Sequence, residues 1–405
     1  MTTTLPNPGP GDPAGSSPVT DDRAGATGRE IAQQPAVWRQ VATDLLSRQD
    51  AVRGFLDPLL ALHDLRVVLT GAGTSAFAGQ LLAPALTRRL RRRIDAVATT
   101  DIVSNPREEF AEDLPTLLIS FARSGDSPES IAATALADQC LTSVYHLIVT
   151  CNADGELAKV HADASRSLVL MMPPEANDEG FAMTSSFTSM VLTVWLALVP
   201  GALDAGVAGR LAAAAEAVLG DTAADVEALT SRGYERVVYL GSGPLAALAR
   251  ESALKVLELT AGEVVSFSDS SLGFRHGPKS VVSDRTLAIV YLSNDPYARL
   301  YDEDIAVELV EQMGSENVIV VGASSSERIG AAQAWTVAGL ADDPDALAAL
   351  AFVVVAQLLA LNASLRLGIT PDSPSPSGQV NRVVQGVTVH PFDGGAESGP
   401  QVDGG

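Results

Sequence analysis

A short apolar strand, a glycine turn and a helix occur in that order twice in the chain, and this repeated unit most constrains the fold. The two strands are predicted at residues 65–70 and 236–240, and the turns that follow begin at Gly71 and Gly241. A helix of small or apolar residues comes next in both places. Such self-similarity indicates an internal duplication, and therefore two domains of related design.

Other apolar runs alternate with predicted helices along the chain. This alternation is typical of a doubly wound α/β fold, whose parallel strands are buried on both faces. The further strands are predicted at 116–121, 145–150, 167–171, 286–292, 317–321 and 387–389, and the helices at 76–90, 128–137, 188–198, 245–259 and 346–367.

The domain bounds follow from composition. Residues 1–28 are rich in Pro and Gly without apolar periodicity, so we expect a disordered tail there. Residues 29–215 then form the first domain, in which Pro35 predicts an early helix break, and 216–390 form the second. The polar residues 391–405 are expected to be a second disordered tail.

Composition excludes several classes of function. The chain of 405 residues carries 27 Lys and Arg against 49 Asp and Glu, a net charge of -22, and 5% aromatic residues. Such a chain repels nucleic acids and anionic membranes and offers few rings for base stacking. It has two cysteines, no His or Cys group at metal-ligand spacing, no signal peptide, and apolar stretches of only about half a membrane span. We therefore expect a cytoplasmic protein that binds neither nucleic acid nor membrane.

Both glycine turns match a dinucleotide-binding fingerprint in the form Gly-x-Gly-x-x-Ala. A dinucleotide site also needs an acidic residue at the end of the second strand, about 20 positions downstream. Asp95 and Asp101 lie close enough to leave that test undecided. Because the motif occurs twice, the tight turn of the fold explains the glycines better, although nicotinamide binding stays open.

A serine-rich loop, Arg123-Ser-Gly-Asp-Ser127, follows the predicted strand 116–121 and precedes a proline that can open a helix. Helix N-terminal N–H groups, hydroxyls and a guanidinium can together hold a phosphate dianion without a metal. Thr74 and Ser75 follow the first strand, at the edge where open α/β sheets bind ligands. The sequence thus predicts a phosphate site, with a serine-capped helix start as the alternative. A nucleoside triphosphate is disfavoured because the Walker Gly-Lys-Ser/Thr is absent from this loop.

The predicted helix of the second half carries a charged face. Glu251, Lys255 and Glu258 are spaced i, i+4 and i+7, so they lie on one side. An exposed salt-bridged face is the ordinary interpretation, but the rest of this helix is apolar, which favours burial. A partly buried carboxylate with a raised pKa is a suitable base for a carbon acid beside a carbonyl. His276 lies downstream in a loop bounded by Gly and Pro, a setting that none of the other four histidines has.

Six segments together resemble the sugar isomerase (SIS) domain family. They are GAGTSAFAG, SFARSGDSPES, PPEANDEGFAMTSSFTSM, ALKVLELTAGE, LGFRHGPKS and VNRVVQGVTV, which come in the family's order within residues 27–391. The chain is most similar to the AgaS-type galactosamine-6-phosphate deaminase/isomerases, also called tagatose-6-phosphate ketose/aldose isomerases. The resemblance implies two SIS domains, each a flavodoxin-like parallel sheet flanked by helices, and a homodimer.

The isomerase half of glucosamine-6-phosphate synthase has the same two domains, so the resemblance implies roles position by position. Glu258 matches the carboxylate that moves a proton between C1 and C2, with Glu251 and Lys255 as its helix neighbours. His276 matches the ring-opening histidine, which in that enzyme reaches in from the neighbouring subunit. The residues implied to bind the sugar phosphate are Gly73, Thr74, Ser75, Arg123, Ser124, Ser127, Thr184, Ser185 and Gln385.

Three details qualify this carry-over. The synthase has a lysine near the sugar where this chain has Gln385, which excludes a Schiff base there. Arg123 stands where the synthase has glutamine. Thr184 and Ser185 fall in the loop that lines the sugar, and we interpret the nearby Asp178 as a surface charge.

The resemblance implies hydrolytic deamination coupled to aldose–ketose isomerisation, from galactosamine 6-phosphate to tagatose 6-phosphate and ammonia. We expect no internal ammonia source, because no glutaminase domain precedes the first SIS domain in this sequence. We also expect no metal or redox cofactor, because the carbonyl itself stabilises the enediol-like intermediate. A plain phosphosugar isomerase and a non-catalytic phosphosugar sensor stay open as alternatives.

Overall fold

Ten strands and thirteen α-helices form within the residues that the computed structural model describes, which are 18–330, 333–375, 381–383 and 386–393. The strands are β1 Arg66–Gly71, β2 Ile94–Ala98, β3 Thr116–Ala122, β4 Val144–Thr150, β5 Ser167–Met171, β6 Arg236–Gly241, β7 Val265–Ser270, β8 Thr286–Tyr291, β9 Val318–Gly322 and β10 Gln333–Thr336. The helices are α1 Gly25–Ser47, α2 Gln49–Leu60, α3 Thr74–Leu90, α4 Thr99–Ser104, α5 Pro106–Glu109, α6 Pro128–Cys140, α7 Glu156–His161, α8 Ser185–Leu198, α9 Ala205–Asp221, α10 Ala223–Thr230, α11 Pro244–Leu259, α12 Pro296–Met313 and α13 Asp345–Arg366.

The strands form two five-stranded sheets of the same design. The first has the order β2-β1-β3-β4-β5 and the second the order β7-β6-β8-β9-β10. Neighbouring strands are parallel in both sheets, and 2-1-3-4-5 is the flavodoxin-like order. The predicted fold class, two flavodoxin-like parallel sheets flanked by helices, is confirmed. The predicted domain bounds stay a prediction.

The largest hydrophobic core lies between the two sheets. Helices α1, α3, α8 and α9 of the first half pack there with α11 and α13 of the second. Smaller cores cover the outer faces, under α4 and α6 on the first sheet and under α12 on the second. The two halves therefore meet over their largest apolar surface.

Helix α13 is the centre of this shared core. It is long and apolar enough to cross a membrane by length and composition alone, since its most apolar stretch has a mean hydropathy of 2.2. However, 89% of that stretch is buried inside the protein. It packs against α9, α10 and α11 and also contacts α1, α3 and α8, as the core helix of two adjoining layers would.

The first helix begins earlier than the sequence indicated. Helix α1 starts at Gly25, and two 3-10 turns precede it, so residues 18–28 of the predicted tail have regular structure. The carboxylate of Asp372 accepts the backbone N–H groups of Ala26 and Thr27, each at 2.8 Å, and so satisfies donors that a helix start otherwise leaves free. The remaining parts of the two predicted tails, 1–17 and 394–405, lie outside the described residues.

Helix α1 also runs through Pro35 without the predicted break. A proline inside a helix removes the N–H that would bond to the carbonyl four residues earlier. Here that carbonyl belongs to Ile31, and the side-chain amide of Gln34 donates to it at 3.0 Å. The Gln34 amide therefore replaces the missing donor.

Three strands were not predicted from the sequence, namely β2, β7 and β10, and neither were seven of the helices, namely α2, α4, α5, α7, α9, α10 and α12. Conversely, the strand predicted at 387–389 is absent, because the described residues 386–393 contain neither helix nor strand. Val387 and Val389 are 37% and 39% exposed. The alternating valines resemble the sequence pattern of a strand, but the segment pairs with no strand of the described chain.

Candidate active site

The first glycine turn places two hydroxyls at the carboxyl end of β1. Gly73 has a φ of +55° and is followed by Thr74 and Ser75, which begin α3. At Gly71 a Cβ would lie 2.5 Å from the Cβ of Ser75, so only glycine lets the helix approach the strand this closely. Thr74 and Ser75 are 4% and 5% exposed, at the sheet edge where such folds bind ligands.

The serine-rich loop 123–127 lies beside this turn because β1 and β3 are neighbours in the sheet. Ser127 is the N-cap of α6, and its hydroxyl accepts the Ser130 N–H at 3.3 Å. The side chain of Asn152 donates to the Ser124 carbonyl at 2.9 Å and fixes the loop backbone. Thr74 and the two half-buried loop serines, Ser124 and Ser127, are therefore brought to one edge, as the sequence predicted.

Arg123 directs its guanidinium at backbone carbonyls. Its Nη1 donates to the Phe181 carbonyl at 3.2 Å, and its Nη2 donates to the Arg382 carbonyl at 2.6 Å. Burial and the nearby Arg382 lower the pKa of Arg123. In this structure Arg123 ties the 177–186 loop to the C-terminal segment, and its contact with a phosphate stays a prediction.

Asp178 is buried, so its interpretation as a surface charge is wrong. Its carboxylate accepts the backbone N–H groups of Thr184, Ser185 and Ser186 at 2.8, 3.0 and 2.9 Å and so fixes the start of α8. The hydroxyl of Thr184 donates to the same carboxylate at 3.0 Å, and that of Ser185 donates to the Glu30 carbonyl at 2.7 Å. Thr184 and Ser185 therefore hold the loop in place with fully buried hydroxyls.

Two residues that the sequence did not single out brace the same loop. Glu30 on α1 accepts the Gly180 N–H at 3.1 Å, and burial together with Asp178 raises the pKa of Glu30 to about 7. Arg382 donates from Nε to the Asp178 carbonyl at 2.9 Å. No motif marks Glu30, but Arg382 belongs to the segment VNRVVQGVTV, in which only Gln385 was considered. Gln385 itself lies outside the described residues.

The charged face of α11 is buried against the first half. Lys255 Nζ lies 3.3 Å from Glu251 Oε1 and 2.6 Å from Glu258 Oε2. Lys255 and Glu251 have fully buried side chains, whereas that of Glu258 is 24% exposed. The interpretation as an exposed salt-bridged face is therefore wrong, and Glu258 is the member of the group that a solute can reach.

Burial and mutual charge set the protonation of this group. Burial raises the pKa of Glu251 to about 7, although the Lys255 ammonium opposes that shift. For Lys255, burial acts to lower the pKa, but the carboxylates of Glu251 and Glu258 outweigh it, so the pKa lies above its ordinary value. The single ammonium of Lys255 thus contacts two carboxylates. When Glu251 is protonated, Lys255 forms its ion pair with Glu258 alone.

Lys255 also joins the two halves of the predicted site. Its Nζ donates to Thr74 Oγ1 at 3.1 Å, and α11 packs directly on α3, which Thr74 begins. Two contacts, of 3.1 and 2.6 Å, therefore connect Thr74 to Glu258 through a single ammonium. A predicted phosphate ligand and the predicted base thus lie within the length of one hexose phosphate.

His276 is not part of this group within a single chain. It follows the 3-10 turn Gly273–Arg275 and is exposed. Its backbone N–H donates to the Gly273 carbonyl at 2.9 Å, and its ring has no hydrogen bond or ion pair with any other described residue. Its role in ring opening therefore stays a prediction.

The structure removes one of the two acids on which the dinucleotide interpretation depended. Asp95 lies near the start of β2, where it pairs with Arg66 at 3.0 Å and with Arg93 at 2.8 Å. Asp101 is exposed on α4. Asp95 therefore does not lie at the carboxyl end of β2, where a ribose would require an acid, whereas Asp101 follows that end by three residues. Across the described part of the chain there is also no group of three or more His, Cys, Asp or Glu suited to a metal ion.

Several known proteins are similar to this chain in sequence and in structure. The family model of the SIS domain matches residues 60–200. A Streptomyces coelicolor protein with the provisional name D-galactosamine-6-phosphate deaminase AgaS is 60% identical over 380 residues, which are 93% of this chain and 98% of that protein. The D-galactosamine-6-phosphate deaminase AgaS of Escherichia coli is 44% identical over 376 residues, 91% of this chain and 97% of that protein.

Among solved structures, the tagatose-6-phosphate ketose/aldose isomerase from Escherichia coli superposes with a TM-score of 0.85 at 41% identity, over 91% of this chain and 96% of that one. The glucosamine-6-phosphate deaminase from Thermotoga maritima superposes with a TM-score of 0.63 at 20% identity, which shows the shared fold alone. On its strand order, its motifs and these relatives, the chain belongs to the SIS domain family.

Proposed function

We propose that this protein deaminates and isomerises a 6-phosphorylated amino sugar, with galactosamine 6-phosphate as substrate and tagatose 6-phosphate and ammonia as products. The observation that carries the proposal is the contact of Lys255 with Thr74, which brings the charged group of α11 to the carboxyl edge of the first sheet. The relatives named D-galactosamine-6-phosphate deaminase support the choice of substrate.

The phosphate binds at the carboxyl edge of the first sheet. Thr74, Ser75, Ser124 and Ser127 supply hydroxyls, and the N-termini of α3 and α6 supply partial positive charge. Three further residues support this edge in different ways. They are Gly73, which shapes the turn, and Thr184 and Ser185, which hold the wall of the sugar site in place.

The reaction needs one proton carrier and one water molecule. His276 assists ring opening, which gives an aldehyde at C1 beside the amine-bearing C2. Glu258 takes the proton from C2, the electron pair forms a C1–C2 double bond, and O1 gains a proton. Return of the proton to C1 gives the imine of the ketose, to which water adds at C2 before ammonia leaves. No electrons are gained or lost overall, so the balance requires no redox cofactor.

Lys255 acts as the positioning residue for this carrier. Its ammonium lies between Glu251 and Glu258 and fixes the Glu258 carboxylate at 2.6 Å. The same ammonium holds the Thr74 hydroxyl. Phosphate binding and proton transfer therefore share one rigid connection, which keeps C2 within reach of Glu258.

The decisive experiment measures ammonia release from galactosamine 6-phosphate and from glucosamine 6-phosphate. We expect release from the first, and a fall in kcat of about 1,000-fold in Glu258→Gln, since general acid–base groups contribute factors of this order. Affinity for the sugar phosphate should be retained. Glu263→Gln, an exposed glutamate shortly after the same helix, is the matched control and should leave kcat unchanged.

The alternatives give different results in the same assay. Ketose formation without ammonia would support a plain ketose/aldose isomerase, the activity after which the Escherichia coli structure is named. Sugar-phosphate binding without any turnover in the wild type would support a sensor. Full activity in Glu258→Gln would contradict the assignment of the base.

We also propose that the enzyme is a homodimer with a shared site, because His276 is exposed and separate from the α11 group in one chain. The test mixes inactive Glu258→Gln subunits with inactive His276→Ala subunits. If each site combines the two residues from different chains, random pairing restores about a quarter of wild-type activity in a two-fold dimer. No recovery would place both residues of a site on one chain.

A cytoplasmic location is proposed with this function. Cys140 and Cys151 are both free thiols, which is the usual state of cysteines in a reducing compartment. Burial raises the pKa of Cys140, and more strongly that of Cys151, so neither is poised to react. Fractionation of cells that produce the protein would check this location.

A further inference from the structure

A cavity of about 240 Å³ lies in the second half, between the inner face of the sheet and the helices α10, α11 and α13. Its floor is formed by buried apolar side chains of both sheet and helices, all under 10% exposed. These are Val237 and Tyr239 of β6, Leu287 of β8, Val256 of α11 and Leu359 of α13. No residue of the site described above lines it.

Two polar groups at this cavity lack partners. The Tyr239 hydroxyl is fully buried and makes no hydrogen bond to any described residue, which is costly for a buried donor. Arg366, in the last turn of α13, is exposed at the mouth and has no hydrogen bond or ion pair within the described ranges. Leu367 beside it is 48% exposed. The cavity is therefore lined mainly by apolar side chains, with Thr230, Ser231 and Tyr234 as further lining residues, and has an unpaired cation at its opening.

We propose that this cavity is a binding site for a small aryl-substituted carboxylic acid. A cavity of about 150 Å³ lined by apolar side chains holds one benzene ring, so this one takes a ring with a short chain. The ring packs on Val237, Leu287 and the side chain of Tyr239. The carboxylate lies at the mouth beside Arg366, whose planar guanidinium suits that shape.

The cavity is positioned to influence the charged group of α11. Val256 directly follows Lys255, and Glu258 lies about 200° from Val256 around the helix at 3.6 residues per turn. An occupant of the cavity therefore contacts α11 at Val256, on the side of the helix opposite to Glu258. This influence rests on the proposed function, whereas binding of the acid does not.

The test is calorimetric titration of the full chain with 3-phenylpropionate, and with 3-phenylpropanol as the uncharged analogue of the same length. We expect the acid to bind about 10-fold more tightly than the alcohol, as a hydrogen bond to a charged group contributes. Arg366→Gln should remove this difference. Arg89→Gln, an exposed arginine in the last turn of α3, is the matched control and should bind like the wild type.

A second variant tests the location. Ala363→Phe on α13 fills the cavity and should abolish binding of both compounds, and Ala363→Leu serves if the larger residue prevents folding. Binding that survives both fills would overturn the site, as would absence of binding to the wild type at millimolar acid. Equal binding of acid and alcohol, unchanged in Arg366→Gln, would overturn the recognition of a carboxylate. None of these readouts depends on turnover, so they stand apart from the ammonia assay.

Discussion

The carboxyl edges of the two sheets have the same backbone plan and opposite contents. At the first edge, the loop between β3 and α6 presents the half-buried hydroxyls of Ser124 and Ser127. At the second, Asp302 of α12 is fully buried and accepts the Ser293 N–H at 3.0 Å and the hydroxyls of Ser242 and Ser271. The donors that an external anion would use there are already bonded to the protein's own carboxylate.

The N-caps of α6 and α12, the helices that follow these two loops, also differ in charge. Ser127 caps α6 and Asp295 caps α12, each directly before a proline. Asp295 accepts the N–H groups of Tyr297 and Ala298 at 3.0 and 3.2 Å. Both halves therefore share this loop and cap geometry, but in the second half the anion is built in as a carboxylate of the protein itself.

The largest effect is expected when the Ser127 cap of α6 is replaced by an aspartate like the cap of α12. Ser127→Asp retains an N-cap of equal quality but sets a carboxylate against the phosphate. Like charges in contact cost several kcal/mol, so affinity for the sugar phosphate should fall at least about 100-fold. Calorimetric titration measures it, with Ser127→Asn as the neutral cap. An aspartate variant that binds as tightly as the asparagine variant would show that this loop does not hold the phosphate.

A smaller effect is expected from the built-in anion. Burial raises the pKa of Asp302 to about 6 from 3.8, so the folded protein holds that proton more tightly than the unfolded chain does. This contribution to stability is present below about pH 4 and is lost as pH rises through about 6. Relative to Asp302→Asn, the wild type should lose unfolding free energy on the order of 2 kcal/mol over this window.

Urea unfolding at several pH values across the window measures that loss. Asp304→Asn, at an exposed position of the same helix, is the control and should follow the wild-type curve. Parallel pH profiles for wild type and Asp302→Asn would show that the buried carboxylate is not the titrating group.

The smallest effect should come from giving the second loop the cap of the first. Asp295→Ser keeps the N-cap and loses an ion pair with Arg88 at 2.9 Å, whose side chain is 80% exposed. Exposed pairs contribute little, so the free energy of unfolding should change by less than about 1 kcal/mol. Asp295→Ala also loses the cap and should cost about 1 kcal/mol more. Equal denaturation midpoints for the two variants would contradict this account.

Central strands were predictable from sequence and edge strands mostly were not. β1, β3, β4, β6, β8 and β9 are covered on both faces, so each shows as an apolar run. The strands that were not predicted, β2, β7 and β10, are all at sheet edges. In β2 and β7 most side chains are only partly buried, and polar residues interrupt the pattern on which such a prediction depends.

The same division holds in the candidate site. The spacing of Glu251, Lys255 and Glu258 on an otherwise apolar helix was enough to predict a buried charged face. The contact of Lys255 with Thr74 was not predictable, because it depends on how the two halves pack. Asp178 looked like an ordinary loop acid, since bonding to three N–H groups of the next helix leaves no mark on its local sequence.

Helix α13 has a consequence for the order in which this protein is made. Domains usually fold from the N-terminus as they leave the ribosome, yet this helix, the last of the described chain, fills the layer that both sheets share. A nascent chain that stops short of residue 345 leaves α9 and α11 without their common neighbour. The helices that pack on the two sheets thus lack part of their shared contact surface until translation has passed α13. The packing between the two halves is therefore completed only after this last helix has been made.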